Sequence, residues 1–218
     1  MMGEAELDKN NLVLNIHADF IFYGNAANEI LATQIANDVA AHWNEPAALV
    51  RIQHEWYKVN FVINGFYAAA LTDIEVYENV DPRKNYFRIE EYARGNISFV
   101  DGINCNTGYF KLENLLNNST TAAHEFGHTI GLDHPEILDI RGLGVPGIMY
   151  PRGTIVDPPF QYDPTATPGA QGGTMNPFTR KVLLTDIENL HLNDLSFDTN
   201  SHAIVGEFSS VWHDAHIP

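Results

Sequence analysis

One eleven-residue segment of the chain combines residue types that can bind a metal ion. If the chain is helical from residue 124 to about residue 130, His124 and His128 lie one turn apart and project from the same face. Two imidazoles at this spacing can bind one ion, and a catalytic zinc site needs a third protein ligand. Gly131 can end the helix in a left-handed conformation, which allows the chain to bring His134 to the ion. The segment therefore predicts a site for one catalytic Zn²⁺.

Glu125 lies beside the predicted metal-binding face, about 100° around the helix axis from His124. Zinc lowers the pKa of its bound water to about 7, and a neighbouring carboxylate can accept that proton while the water attacks a carbonyl carbon. The same carboxylate can pass the proton to the leaving amine. We therefore predict that Glu125 is the general base of a hydrolase, a role that a structural zinc site would not require.

The complete pattern is more specific than its parts. A helical pair of histidines alone has a real false-positive risk, but five fixed positions coincide by chance in only roughly one in ten thousand comparable chains. From His124 to His134 the pattern resembles the signature of the metzincin clan of zinc endopeptidases. The amino-acid sequences of this segment and of residues 147–151, a candidate Met-turn, are similar to those of matrixins. Pro135 instead matches serralysins, in which a proline follows the third histidine. The resemblance therefore identifies the clan and not one subfamily.

The resemblance implies roles for residues outside the zinc ligands. Met149 would lie beneath the three imidazoles as a hydrophobic floor without binding the ion, and Gly131 would support the site by turning the chain. Tyr150 is one residue too early to match the tyrosine of astacins and serralysins, and we expect it to contribute only packing. An exposed edge strand, formed by residues 97–100 or 109–112, would hold an extended substrate by backbone pairing.

The resemblance also implies an α+β, metzincin-like zincin fold. This fold has a twisted mixed β-sheet, a backing helix, an active-site helix and a smaller irregular C-terminal subdomain that ends in a helix. Apolar periodicity agrees, because it predicts a strand at residues 12–23 and a helix at about residues 25–43. Further strands are predicted at residues 49–63, before a turn at Asn64 and Gly65, and at residues 74–76, 87–89, 97–100 and 109–112.

We expect residues 1–218 to form a single catalytic domain. Its N-terminal subdomain, residues 1–134, would contain the sheet and the zinc helix, which Asn118, Ser119 or Thr120 would cap. Its C-terminal subdomain, residues 135–218, would contain the Met-turn, a long loop at residues 154–177 and a last helix after a capping box that starts at Thr185. The loop would either shape the substrate pocket or act as a mobile linker. Residues 203–205 could add a strand or pack on the body.

Composition and charge restrict the partners. The 218 residues are 44% hydrophobic and 18% charged, as in a globular protein, and no apolar run is long enough for insertion into a membrane. A formal net charge of −16 argues against nucleic acid and favours basic or neutral peptides. Ca²⁺ could be bound, as in related enzymes, but no calcium loop supports it. The sequence does not indicate the oligomeric state.

The sequence contains little information on location. Cys105 is the only cysteine, so no internal disulfide can form. The first residues lack the basic start and apolar run of a secretory signal. We nevertheless expect an extracellular or exported protein.

The sequence therefore predicts a zinc-dependent endopeptidase that hydrolyses peptide or protein substrates. Two alternatives remain open. The first is a toxin or effector domain that cleaves one particular protein. The second is a zinc-stabilised binding module without turnover, and the presence of Glu125 argues against it.

Overall fold

The computed structural model describes residues 3–218; residues 1 and 2 of the predicted domain lie outside this range. Within this range there are eight strands and four α-helices in the order β1 (Gly3–Asp8), β2 (Val13–Tyr23), α1 (Glu29–Asn44), β3 (Leu49–Ile52), β4 (Glu55–Tyr67), α2 (Asp73–Tyr77), β5 (Lys84–Glu90), β6 (Phe99–Val100), β7 (Thr107–Lys111), α3 (Thr121–Thr129), α4 (Leu184–Glu188) and β8 (His202–Val205).

All eight strands belong to one mixed sheet. Six of them follow the order β3-β4-β2-β5-β7-β6, and β2 pairs in parallel with both β4 and β5. Strand β1 runs antiparallel to the first half of β2 and pairs on its other side with β8. At one end of the sheet the two-residue strand β6 pairs antiparallel with β7. The predicted α+β class with a mixed sheet is confirmed.

An aromatic cluster joins the backing helix, the sheet and α3. Helix α1 buries a stripe of residues at a spacing of four, which ends at Trp43. The Trp43 ring lies 5.7 Å from the Phe126 ring of α3, and Phe126 lies 5.4 Å from Phe20 of β2. The buried Trp43 Nε1 donates a hydrogen bond to the Ala123 carbonyl at 3.0 Å. These contacts fix α3 against the core on the side opposite its histidines.

Most of the predicted elements are present. The predicted strand at residues 12–23 and helix at residues 25–43 correspond to β2 and α1, and the strands at 87–89 and 109–112 correspond to β5 and β7. The segment at residues 97–100 contains only the short β6. Residues 203–205 do add a strand, β8, which carries the C-terminal part of the chain back to the sheet. The division into subdomains 1–134 and 135–218 stays a prediction.

Residues 74–76 are helical, so the predicted strand there is wrong. They belong to α2, which begins with a capping box: the Thr72 hydroxyl accepts from the Glu75 N–H, and the Glu75 carboxylate accepts from the Thr72 N–H at 2.9 Å. These reciprocal bonds satisfy N–H groups that have no partner within the helix, and so they stabilise its start. The local cap therefore outweighed the β-forming side chains of Ile74 and Val76.

The predicted turn at Asn64 and Gly65 is also wrong. Strand β4 continues through both residues, which pair with Asp19 and Phe20 of β2. The hairpin turn between β3 and β4 lies earlier, after Ile52. Gly65 is required for packing instead, because a Cβ at this position would collide with the Ala32 carbonyl of α1.

Residues 154–177 form a long irregular segment, as predicted, but it is packed and not extended. Val156 and Met175 are fully buried with Ile140 in a small separate core, against which Tyr150 and Phe160 pack. The predicted packing role of Tyr150 agrees with this contact.

Helix α4 is the predicted short last helix. Its cap differs from the prediction, because the Asp186 carboxylate accepts from the Leu183 N–H at 2.7 Å and Thr185 lies within the helix. No helix within residues 3–218 is both long and apolar enough to cross a membrane.

Candidate metal centre and active-site cleft

Helix α3 presents two histidines whose rings are held from behind. The Nδ1 atom of His124 lies 2.7 Å from the Ile148 carbonyl oxygen, and the Nδ1 atom of His128 lies 2.7 Å from the Leu132 carbonyl oxygen. A carbonyl can only accept, so each Nδ1 carries the proton and donates. In the neutral rings, Nε2 is therefore an unprotonated nitrogen with a free lone pair, which is the form that a metal binds.

The chain turns after α3 in the way the sequence predicts. Gly131 has a φ of 106°, and the Leu132 N–H donates to the Gly127 carbonyl at 2.9 Å, which closes the end of the helix. This turn serves two ligands, because it brings the Leu132 carbonyl to His128 and carries His134 back over the helix. At the other end of α3 the N-cap residue is Thr120, whose side chain makes no capping bond, and the Oγ of the preceding Ser119 accepts from the Thr121 N–H at 3.1 Å.

The three imidazoles converge on one point. The Nε2 atom of His134 lies 3.1 Å from the Nε2 atoms of both His124 and His128, and all three ligand atoms lie within 4.8 Å of one another. Tetrahedral zinc with bonds of about 2.05 Å places neighbouring ligand nitrogens about 3.3 Å apart. The two distances from His134 are close to this value, and the distance between His124 and His128 is within 4.8 Å. It is the one cluster of three or more metal-binding side chains within residues 3–218.

Burial keeps these imidazoles neutral. Loss of hydration lowers the pKa of His124 well below its usual value, and it also lowers the pKa of His128 and His134. The positive charge of Arg180 lowers all three values further. Neutral rings are ready to bind a cation at physiological pH without first losing a proton.

Glu125 lies beside the triad in the same cleft, as predicted. Its Oε2 accepts a hydrogen bond from the Val100 N–H of β6 at 3.1 Å. Burial raises the pKa of this carboxyl to about 8, whereas Arg180, the Val100 N–H and Arg152 act to lower it. A divalent cation beside the group would act in the same direction as the two arginines and favour the ionised carboxylate.

Met149 lies behind the helix turn that joins the first two histidines. It is 3% exposed, and its side chain occupies the space next to Gly127, where a Cβ would collide with the Met149 sulfur. The adjacent Ile148 carbonyl holds His124, so residues 147–151 are placed to position the site through both backbone and side chain. Contact between Met149 and the imidazole rings stays a prediction.

Replacing Gly127 by alanine tests this packing, because the contact and the helix propensity predict opposite signs for the change in the free energy of unfolding. Helix propensity alone predicts stabilisation by about 1 kcal/mol. The collision with Met149, with Trp43 also only 3.3 Å from the new Cβ, predicts that the free energy of unfolding falls by about 1–3 kcal/mol. Denaturant unfolding measures the difference. The double variant with Met149→Ala should lose less than the sum of the two single losses, because the collision is then relieved; additive losses would contradict the contact.

One wall of the cleft is the free edge of β6. Strand β7 is paired on both sides, with β5 and β6, so residues 109–112 offer no open edge. Residues 97–100 line the cleft, and β6 pairs only with β7 among the described strands. The structure therefore favours residues 97–100 over residues 109–112 as the edge for a substrate.

The other wall contains two arginines that the sequence analysis did not identify. Arg152 follows the Met-turn, and Arg180 lies in the segment before α4; both line the cleft with the triad and Glu125. Neither arginine belongs to a recognisable motif. The only feature of the sequence that could have drawn attention to them is the small number of basic residues, 12 against 28 acidic ones.

Comparisons with known proteins add a structural similarity. No family model matches the chain, and no curated protein does. Similar solved structures include an archaemetzincin from Methanopyrus kandleri, which is 11% identical over 81% of this chain and 95% of that chain with a TM-score of 0.43. They also include myroilysin, 11% identical over 88% of this chain and 100% of that chain with a TM-score of 0.39.

The motif from His124 to His134 resembles that of the metzincin clan, and the structure positions its three histidines to bind a metal ion. At these values of identity and TM-score, the functional conclusion depends on the three histidines and their geometry.

Proposed function

We propose that the protein is a zinc-dependent endopeptidase. The convergence of three imidazole nitrogens on one point, beside a buried carboxylate in an open cleft, carries this proposal; backbone carbonyls keep two of these nitrogens, those of His124 and His128, unprotonated. Nitrogen donors at this spacing suit one tetrahedral Zn²⁺ and leave a fourth position for water. No described cluster suggests calcium, which remains without support.

The protein's own residues would have distinct tasks in the reaction. When bound, zinc polarises the scissile carbonyl and acidifies the attacking water. Glu125 accepts the proton of that water at its carboxylate and delivers it to the leaving amine. The Val100 N–H occupies Oε2, whereas no hydrogen bond joins Oε1 to a group among the described residues, so Oε1 is the available acceptor. The Ile148 and Leu132 carbonyls keep the two α3 imidazoles in the correct tautomer.

The substrate would bind in an extended conformation along β6. The Val100 N–H points to Glu125, whereas the N–H of Asp101, the residue after β6, donates to the Thr107 carbonyl of β7, so successive backbone groups alternate between the cleft and the sheet. A peptide that pairs with the cleft-side groups other than the Val100 N–H would be held by its main chain beside the metal. This mode tolerates many sequences, as expected for an endopeptidase.

A peptide library tests the proposal. The zinc-loaded protein is incubated with the library, and mass spectrometry identifies new termini. We expect cleavage within peptides with a shared preference near the bond, and none after chelation. Failure to cut any member would contradict a general endopeptidase. Cleavage of a single protein target, with the library intact, would instead support the effector alternative. An extracellular or exported location stays a prediction.

A further inference from the structure

Arg180 is a buried cation in the wall of the cleft. It is 5% exposed and lines the same cavity as His124 and Glu125. Its Nε donates to the Thr120 hydroxyl at 3.0 Å, and its Nη1 donates to the Tyr150 carbonyl at 3.0 Å. These bonds fix the guanidinium plane between the start of α3 and the Met-turn. They leave Nη2 without a hydrogen-bond partner among residues 3–218.

Arg180 makes no direct ion pair with a carboxylate of the described residues, although the charge of Glu125 in the same cleft acts on it. None of the ion pairs among the described residues includes it. Arg88, which is also largely buried, is by contrast paired with Glu90 at 2.6 Å. A buried charge without a direct ion pair is costly, so proteins rarely keep one without a function. Burial lowers the pKa of Arg180 to about 10, which leaves the group protonated at neutral pH.

The cleft also differs in sign from the protein as a whole. The formal net charge is −16, which favours basic or neutral peptides when only the whole chain is considered. The charged side chains that line the cleft are Glu125, Arg152 and Arg180, apart from the histidines. Arg152 is exposed and donates to the Asn114 side chain at 3.4 Å, so its charge is also not paired with a carboxylate. Within a strongly acidic protein, the cleft is thus a local positive site.

We propose that Arg180 binds a carboxylate of the peptide substrate and so directs cleavage to acidic sequences. The inference rests on the proposed peptidase function and specifies its substrate class. Two parallel N–H groups of a guanidinium match a carboxylate, and here the plane is already oriented by Thr120 and Tyr150. The carboxylate could belong to an Asp or Glu side chain near the scissile bond, or to the C-terminus of a short peptide. The chemistry is the same, and peptides can separate the two sources.

The first experiment compares matched peptides with the wild-type protein. Each pair differs only by Glu or Gln at one position around the cleaved bond, and each member is made with a free or an amidated C-terminus. We expect kcat/KM to be about 10- to 100-fold higher for the acidic member of one pair, or for the free acid over the amide. The arm that shows the difference identifies the source of the carboxylate. Equal values in all arms would overturn the proposal.

The second experiment tests whether Arg180 causes the preference for acidic peptides. In Arg180→Gln the preference should fall to near unity, while Arg180→Lys should keep part of it because the charge remains. Arg141→Gln is the control, because Arg141 is exposed and paired with Asp139 away from the cleft. Transfer of the whole effect to Arg152→Gln would overturn the assignment to Arg180. If Arg180→Gln does not fold, the comparison of the paired peptides with the wild-type protein and with Arg180→Lys still tests the proposal.

A binding measurement separates this inference from the proposed function. The paired peptides are titrated into Glu125→Gln protein by calorimetry, where no turnover is expected. Tighter binding of the acidic member by the same 10- to 100-fold factor, about as large as one charged hydrogen bond allows, would support Arg180 even if no peptide is ever cut. Equal binding, together with cleavage of neutral peptides, would refute Arg180 and leave the peptidase proposal in place.

Discussion

Replacing Glu125 by glutamine should abolish peptide hydrolysis and leave the fold and the zinc content unchanged. Glutamine has nearly the same shape, and its side-chain carbonyl can still accept from the Val100 N–H, so the local contact survives. It cannot accept a proton from the attacking water. Loss of general base catalysis costs about 10²–10⁴-fold in rate. The measurement is kcat/KM on a cleaved library peptide, with zinc quantified on the same sample.

The control for this variant is Glu55→Gln. Glu55 is an exposed carboxylate at the start of β4 that does not line the cleft, and its loss should leave kcat/KM unchanged. If Glu125→Gln and wild type turn over equally, Glu125 is not the base. If neither cleaves any substrate while both hold zinc, the binding-module alternative gains support.

Removing zinc should produce the second large effect, on activity and stability together. Three imidazole nitrogens lie close to one another, with His134 3.1 Å from each of the other two, and a cation would be held by all three. A metal present at 1,000 times its Kd stabilises the native state by about 4 kcal/mol. For a domain of this size, that corresponds to a rise of about 8–16 °C in Tm. Chelation should reverse the rise and abolish activity, and added zinc should restore both.

His134→Ala is the matched variant for this titration. His134 is the exposed member of the triad, so its truncation removes a ligand without opening the core. This variant should show a much smaller zinc-dependent rise in Tm and no activity. A full rise in His134→Ala would show that zinc stabilises the protein from another site.

The metal centre was predictable because its information is local. The helical repeat places His124 and His128 together, and Gly131 at a positive φ returns His134 within the same eleven residues. The backbone carbonyls that hold the rings could not be predicted in this way. Ile148 comes from a distant turn, and its contact with His124 depends on how the C-terminal part packs on α3.

The sheet was predictable where side chains alternate, and unpredictable where a local cap or a close approach decided the conformation. Residues 74–76 carry β-forming side chains, but the capping bonds between Thr72 and Glu75 made them helical. Gly65 was interpreted as a turn residue, whereas its function is to let Ala32 of α1 approach β4. Both cases require knowledge of what lies next to the residue.

The cleft was the least predictable part. Arg180 reaches it through the folding of an irregular segment, and its partners Thr120 and Tyr150 come from two other segments. A charge count over the whole chain suggested basic or neutral substrates, but a binding site responds to the charges that line it. Local and global charge have opposite signs here, and only the structure shows this.

A crystal structure of the zinc-loaded protein, with anomalous scattering recorded at the zinc edge, tests the central claim most directly. The account predicts one anomalous peak, with the Nε2 atoms of His124, His128 and His134 each at about 2.0–2.1 Å from it. A zinc ion bound elsewhere, or bound by the first two histidines while the ring of His134 lies far from it, would contradict the account.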